Sequence, residues 1–150
     1  MNIIGRPIRL FPKDLDFQKI LELDKEHFPM PWTSKGWEEL NWSHHLLFGW
    51  YAENQLVGFA LFNLVLNDDT AHLLKICLQP GQRGLGSSQV FWERCCENLR
   101  VLKAKTVYLE VESQNLRAIG FYKRLGFESL RSIKGYYSDG TDATTMQITI

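Results

Sequence analysis

The amino-acid sequence predicts a single α/β domain in three layers, with one sheet packed between helices on both faces. Two observations lead to this fold class. The chain has 150 residues, which is an ordinary length for one domain. Its apolar patterns follow the order strand, two helices, three strands, helix, strand, helix and two strands. Because no repeat or linker-like composition interrupts this order, we expect one domain over residues 1–150.

The first half of the chain alternates between short helical and extended patterns. Helical spacing of apolar residues starts near Asp14, and Pro29 and Pro31 end that helix. Thr33 or Ser34 is the candidate N-cap of a short second helix. The apolar run from residue 55 is nearly continuous, as expected for a strand that is covered on both faces. The predicted strands of this half are residues 7–11, 46–53, 55–66 and 71–78.

The second half begins with a predicted helix over residues 85–102. Its apolar residues share one face at helical spacing, and they are Phe91, Trp92, Cys95, Cys96 and Leu99. The adjacent cysteines are therefore interpreted as small apolar fillers rather than a redox pair. A β-branched strand over residues 106–111 follows, and then a helix that Asn115 caps and Gly126 ends. Residues 127–134 and 143–150 are the two closing strands.

Charge and composition exclude several classes of protein. The 17 basic residues balance the 17 acidic ones, so we expect no electrostatic binding to nucleic acid or to a membrane surface. The longest apolar stretch covers eleven residues, 56–66, whereas a membrane-spanning helix needs about 20. Three cysteines, two of them adjacent, do not suit a secreted disulfide framework. We therefore expect a cytoplasmic protein.

A metal site is not expected either. The chain has no CxxC pair, and the adjacent His44 and His45 have no further ligands near them in the sequence. His27 and His72 are isolated, which favours a surface or hydrogen-bonded histidine at each position.

The sharpest local motif is Gly81-Gln-Arg-Gly-Leu-Gly86, between a predicted strand and a predicted helix. Glycines allow positive φ and close backbone approach, and the N–H groups at a helix start attract anions. The motif is not a P-loop, since no Gly-Lys-Ser/Thr follows, and position 89 is Gln instead of the third glycine of a dinucleotide fingerprint. It predicts a phosphate or pyrophosphate site, with a simple tight turn as the alternative.

A second group of residues could carry acid–base chemistry. Glu110 lies near the end of a predicted strand, where α/β sheets open their ligand crevice. Tyr122 follows the Asn115 cap by two helical turns. A carboxylate and a phenol that converge on one cleft suit general base and general acid roles. A solvated strand end and a core aromatic are the alternatives for the two residues.

Together these motifs resemble the GNAT superfamily of N-acetyltransferases. The matching segments are Pro80-Gly-Gln-Arg-Gly-Leu-Gly-Ser-Ser88, Leu109-Glu-Val-x-x-x-Asn115, Ala118-Ile119 and Phe121-Tyr-Lys-Arg-Leu-Gly-Phe127. Further segments resemble the RimI-type ribosomal-protein alanine N-acetyltransferases. They are Phe28-x-x-Pro31-Trp32-Thr33 near the start, and Lys134-Gly-Tyr-Tyr137, Gly140-x-Asp142-Ala143 and Met146 near the end. The matches extend from about residue 28 to residue 146, which is nearly the whole chain.

The resemblance implies a mixed, mostly antiparallel sheet with splayed central strands and flanking helices. It implies transfer of the acetyl group of acetyl-CoA to a primary amine, most directly a protein N-terminus such as that of a ribosomal protein. Glu110 would be the general base and Tyr122 the general acid. The residues implied to bind acetyl-CoA are Leu74, Ile76, Cys77, Leu78, Gln82, Arg83, Gly84, Leu85, Gly86, Ser87, Ser88, Asn115 and Tyr122. Those implied to bind the acceptor are Phe28, Pro31, Trp32, Tyr136 and Tyr137.

One departure from the family pattern leaves alternatives open. The segment between Pro80 and Gly84 is about two residues shorter than in RimI-type sequences, and Gly81 stands where the family usually has Gln or Arg. Fewer N–H donors would then reach a pyrophosphate, although Arg83 could compensate as a charge partner. A catalytically silent domain that binds a protein partner or senses acyl-CoA is the alternative to an enzyme. A lysine side chain or a small-molecule amine is the alternative acceptor, and we expect a monomer or weak dimer.

Overall fold

The secondary structure follows the predicted order. The structure is a computed structural model that describes residues 8–10, 17–65, 67–83 and 86–150, with only the backbone described for residues 8–10. The helices are α1 Phe17–His27, α2 Ser34–Glu38, α3 Ser87–Val101 and α4 Leu116–Leu125. The strands are β1 Ile8–Leu10, β2 His45–Ala52, β3 Gln55–Leu64, β4 Thr70–Leu78, β5 Thr106–Glu112, β6 Glu128–Ile133 and β7 Ala143–Thr149. A 3-10 turn over Pro80–Gln82 precedes α3.

Most predicted boundaries differ from the observed ones by one or two residues. The capping predictions are confirmed, because Thr33 and Asn115 each accept a hydrogen bond from a backbone N–H three residues later. Gly126 ends α4 with a φ of 107°, a conformation that favours glycine. Strand β6 begins at Glu128 and not at Phe127, because the N–H of Phe127 still donates to a carbonyl of α4. The predicted ends at residues 7, 11, 14, 66 and 85 lie outside the described residues.

The seven strands form one sheet in the order β1-β2-β3-β4-β5-β7-β6. Every neighbouring pair is antiparallel except β4 and β5, which are parallel. This arrangement confirms the predicted mixed, mostly antiparallel sheet. The single parallel pair lies at the centre, and the chain crosses from β4 to β5 through α3.

Helices cover both faces of the sheet, which confirms the three layers. On the α1–α2 face the core includes Ile20, Leu23 and Trp37. On the α3–α4 face it includes the predicted stripe of Phe91, Trp92, Cys95, Cys96 and Leu99, all buried. Burial raises the pKa of Cys96 to about 12, so its thiol is uncharged and unreactive, as an apolar filler should be. In the described part of the chain, no helix combines the length and the apolar character needed to cross a membrane.

A buried ion pair joins α1 to β4 and to the loop between α1 and α2. The Asp24 side chain is fully buried, and its Oδ1 accepts a hydrogen bond of 2.5 Å from Lys75 Nζ. Its Oδ2 accepts from the Trp32 backbone N–H at 2.8 Å and from Trp37 Nε1 at 2.9 Å. Lys75 Nζ also lies 4.6 Å from the ring centroid of Phe28 and 4.7 Å from that of Trp32. Asp24 therefore fixes the position of the α1–α2 loop over β4.

Breaking this ion pair is expected to destabilise the protein. In Lys75→Met the chain keeps a side chain of similar shape but leaves the Asp24 carboxylate buried without its cation. We expect the free energy of unfolding in urea to fall by roughly 3–5 kcal/mol. The matched control is Lys35→Met, which removes the exposed Lys35–Glu39 pair and should cost less than about 1 kcal/mol. Equal losses in the two variants would contradict the role given to Asp24.

Gly58 allows β3 and β4 to approach each other near the end of β4. A Cβ at this position would lie 2.4 Å from the Cys77 carbonyl oxygen and 2.6 Å from a methyl carbon of Leu78. We expect Gly58→Ala to lower the free energy of unfolding by about 1–3 kcal/mol through overpacking. Gly81→Ala is the control, because a Cβ there meets nothing within 4 Å. A thermal-unfolding comparison in which both variants match the unmodified chain would contradict this account.

Candidate active site

The centre of the sheet opens into a cleft because β4 and β5 are paired over only three residues each. The pairs are Thr70–Thr106, Ala71–Val107 and His72–Tyr108. Beyond them β4 remains bonded to β3, and β5 remains bonded to β7, but the two facing edges separate. A buried strand edge needs hydrogen-bond partners. The cleft therefore suits an extended ligand with amide groups of its own.

The strand β4 is irregular at the cleft. Leu61 is opposite Lys75 and Phe62 is opposite Leu73, so Leu74 is an extra residue in β4, a β-bulge. The bulge bends β4 away from the straight path that further pairing with β5 would require. It also places Leu74 and Lys75 on the α1–α2 face, while Leu73 packs on the α3–α4 face.

Alternation along β5 assigns its side chains to the two faces. Val107, Leu109 and Val111 pack into the core on the α3–α4 face, so Tyr108 and Glu110 point to the α1–α2 face. Glu110 is 14% exposed there, and its Oε2 lies 2.5 Å from His72 Nε2. The Tyr108 and Tyr136 phenols also lie close enough to interact with the Glu110 carboxylate. A polar cluster of His72, Tyr108, Glu110 and Tyr136 thus lies beside the point where the strands separate.

The electrostatics of this cluster keep Glu110 ionised. Burial by itself raises the pKa of Glu110, but hydrogen bonds from His72 and Tyr108 outweigh it and hold the pKa below its usual range. The same carboxylate, together with burial, raises the pKa of Tyr108 and of Tyr136. At neutral pH the cluster therefore contains one carboxylate surrounded by hydrogen-bond donors.

Tyr122 approaches the cleft from the other face of the sheet. Its half-buried ring packs against Phe121 and Phe127, with centroid distances of 5.4 and 5.6 Å. Burial raises the pKa of Tyr122, and the neighbouring Tyr137 and Cys77 raise it further. The phenol therefore keeps its proton and can act as a donor. Tyr137 also interacts electrostatically with Glu110, so it is a neighbour of both predicted acid–base residues.

The N-terminus of α3 has the features of an anion site. Gly86 is the N-cap with a φ of 74°, and no side chain caps the helix. The first N–H groups of the helix, from Ser87 and Ser88 onward, have no intrahelical acceptor and can bind an anion together with the helix dipole. Gly84 and Leu85, predicted to contribute to the same site, lie outside the described residues.

The short segment before α3 uses some of its own donors. The N–H of Gln82 donates to the Gln79 carbonyl, and that of Arg83 donates to the Pro80 carbonyl. Arg83 Nε donates to the Leu78 carbonyl at 2.9 Å, so its guanidinium is held against the protein. Two N–H groups of this segment are therefore not free for a ligand, which agrees with the consequence expected from its short length.

The predicted acceptor residues lie in two loops, and contacts with neighbouring residues position them. Phe28 and Trp32 share the Lys75 ammonium, whereas Pro31 is exposed in the same α1–α2 loop. Tyr136 is 45% exposed and packs edge-on against Tyr137 at a centroid distance of 4.9 Å.

The predicted cofactor residues are distributed along the cleft. Leu74, Ile76, Cys77 and Leu78 lie in the separated part of β4. Asn115 uses its Oδ1 to cap α4, which leaves its amide N–H₂ for any contact with a ligand.

Sequence reasoning did not single out four residues that shape the site, namely Asp24, His72, Lys75 and Tyr108. Period-2 alternation along β4 and β5 could have indicated which of them face the α1–α2 side. It could not have paired them, because the partners are 38 residues apart for His72 and Glu110 and 51 residues apart for Asp24 and Lys75.

Comparisons with known proteins agree with this geometry. The family described as Acetyltransferase (GNAT) family matches residues 17–127. A ribosomal protein bS18-alanine N-acetyltransferase of Escherichia coli is 27% identical over 138 residues, covering 90% of this chain and 92% of that protein. The enzyme of the same name from Haemophilus influenzae is 27% identical over 122 residues, covering 81% of this chain and 82% of that protein.

A solved structure extends the similarity to the whole fold. The crystal structure of the ribosomal-protein-S18-alanine N-acetyltransferase from Escherichia coli has a TM-score of 0.83 and 25% sequence identity. The alignment covers 98% of this chain and 94% of that one. The chain belongs to the GNAT family and is an N-acetyltransferase that uses acetyl-CoA.

Proposed function

We propose that this chain transfers the acetyl group of acetyl-CoA to the N-terminal α-amine of a protein, and that the acceptor is a ribosomal protein beginning with alanine. The observation that carries the proposal is the cleft between β4 and β5, with Glu110 on one face and Tyr122 on the other. The names of the relatives support the choice of acceptor. A reaction on a ribosomal protein takes place in the cytoplasm, and we propose that location, a monomer or weak dimer, and one domain over residues 1–150.

The donor side of the cleft fits acetyl-CoA. The N–H groups at the start of α3 match a pyrophosphate, and the open edge of β4 matches the amides of a pantetheine arm. The residues proposed to hold it are Leu74, Ile76, Cys77, Leu78, Gln82, Arg83, Gly84, Leu85, Gly86, Ser87, Ser88, Asn115 and Tyr122. When bound, acetyl-CoA supplies a thioester, which is an activated acetyl group.

The acceptor side must remove a proton before reaction. An N-terminal α-amine has a pKa of about 7.7–8.0, so it is largely an ammonium ion at pH 7 and has no free electron pair. Glu110 is ionised and lies on the α1–α2 face, where it can attract the ammonium and act as base. Phe28, Pro31, Trp32, Tyr136 and Tyr137 are proposed to line the peptide on the same face.

The reaction then balances without a covalent enzyme intermediate. The acceptor ammonium gives one proton to the base, which is Glu110, and the resulting amine nitrogen attacks the thioester carbonyl carbon. A C–N bond forms and the C–S bond breaks. Tyr122, whose phenol stays protonated at neutral pH, gives a proton to the departing thiolate, and it is reprotonated when the acylated nitrogen loses its second proton. The products are an acetylated N-terminus and coenzyme A, with one proton released.

One observation favours a second candidate function. The N–H groups of Gln82 and Arg83 are already used within their own turn, which leaves fewer donors for the pyrophosphate. A domain that binds a protein partner, or that senses acyl-CoA without turnover, would not need the full set of pyrophosphate donors. The presence of both Glu110 and Tyr122 favours the enzyme.

A peptide comparison tests the acceptor. We expect acetyl-CoA-dependent addition of one acetyl group to a short peptide with a free N-terminal alanine, detected by mass spectrometry. The matched control is the same peptide with a blocked N-terminus and an internal lysine, which should not react because a lysine amine is almost fully protonated at neutral pH. Acetylation of the control alone would show that the acceptor is a lysine side chain, and reaction of neither peptide would favour the second candidate function.

Tyr122→Phe tests the general acid. The variant retains the ring that packs against Phe121 and Phe127 but loses the hydroxyl. We expect kcat to fall by about 10²-fold or more, the usual contribution of general acid catalysis. Acetyl-CoA affinity, measured by calorimetry, should change little. Unchanged turnover in this variant would remove Tyr122 from the acid role.

A further inference from the structure

We propose that His72 and Glu110 act together as the base: His72 takes the proton of the acceptor ammonium on Nδ1, and Glu110 orients the imidazole ring through Nε2. The proposal rests on the proposed function. It assigns the uptake of the proton to His72 and the positioning of the ring to Glu110. It is carried by the contact of 2.5 Å between His72 Nε2 and Glu110 Oε2 at the mouth of the cleft.

The geometry determines which ring nitrogen carries the hydrogen. Because Glu110 is ionised, its oxygen can only accept, and His72 Nε2 must donate. A neutral ring with its hydrogen on Nε2 has a bare electron pair on Nδ1. Among the described residues, the only hydrogen bond of the His72 ring is the one through Nε2. The side chain is 26% exposed, so Nδ1 can receive a proton from an acceptor amine directly or through one water molecule.

Glu110 is a poor proton acceptor by itself. Its carboxylate already accepts the hydrogen bond from His72 Nε2, and the phenols of Tyr108 and Tyr136 lie beside it, so direct protonation would disturb these contacts. A proton on His72 disturbs none of them. The geometry therefore assigns the proton transfer to the ring and leaves Glu110 to position it.

The tyrosines around the pair do not compete for the proton. The phenols of Tyr108, Tyr136 and Tyr137 face the pair from β5 and from the loop after β6, and burial raises the pKa of each. All three stay protonated at neutral pH.

The remaining charged groups are farther from the pair or already paired. Arg131 on β6 and Glu112 on β5 act on the neighbouring tyrosines, and Asp24 and Lys75 form their own ion pair farther along β4. On β3 the residue opposite His72 is Asn63, which carries no charge.

The decisive variant is His72→Gln, because an amide at this position can still donate to Glu110 but cannot take a proton. We expect the plot of kcat against pH for the unmodified enzyme to fall on the acid side between about pH 5 and 8, where histidine titrates. In His72→Gln this fall should move to higher pH, where the acceptor α-amine itself loses its proton, and kcat at pH 7 should drop by about 10²-fold. The rate should recover toward high pH, where the acceptor amine is already neutral.

Two controls separate chemistry from structure. Thermal unfolding and acetyl-CoA affinity should be unchanged in His72→Gln. His45→Gln, two strands away on β2 and with a ring that bonds the Asn41 carbonyl, should keep the full pH profile. A His72→Gln enzyme that retains both kcat and the acid-side fall would overturn the proposal.

An NMR measurement tests the pairing without turnover. Nitrogen chemical shifts of the His72 imidazole should show a neutral ring with its hydrogen on Nε2, and Glu110→Gln should change those shifts. A hydrogen on Nδ1 would overturn the proposal even in a fully active enzyme. Should the chain acetylate lysine in place of an N-terminus, the proposed acceptor fails, and the same pH profile measured on the lysine peptide still decides the role of His72.

Discussion

The site depends on the early end of the pairing between β4 and β5. Among the strands that the structure describes, these are the only parallel neighbours, and after His72 and Tyr108 they share no further bridge. Each strand is held on its other edge by an antiparallel partner, β3 or β7. The separation therefore costs the sheet little and exposes two backbone edges in its interior. The β-bulge at Leu74 maintains the separation by bending β4.

The cleft also separates the two sets of chemical groups. Donor-side groups, namely the start of α3 and Tyr122, belong to the α3–α4 face. Acceptor-side groups, namely the cluster around Glu110 and the α1–α2 loop held by Asp24, belong to the other face. Acetyl-CoA and the acceptor amine can then approach the cleft from opposite faces of the sheet. Each protonation role follows from its surroundings, because hydrogen bonds keep Glu110 ionised and burial keeps Tyr122 protonated.

Local features of the fold could be predicted from the sequence, because their causes lie within a few residues. The caps at Thr33 and Asn115 and the buried stripe of α3 were of this kind. The separation of β4 and β5 could be expected only through the family resemblance, because strand register depends on residues far apart in sequence. His72 looked isolated for the same reason, since its partner Glu110 is 38 residues away.

Calorimetric titration of the chain with acetyl-CoA tests most directly whether the cleft is a substrate site. The account predicts one site per chain with a dissociation constant in the micromolar range, about −7 to −8 kcal/mol of binding free energy. That result would show that the start of α3 and the open edge of β4 supply enough donors despite the short segment before α3. Absence of heat up to millimolar acetyl-CoA would contradict the account and would direct the search toward protein partners.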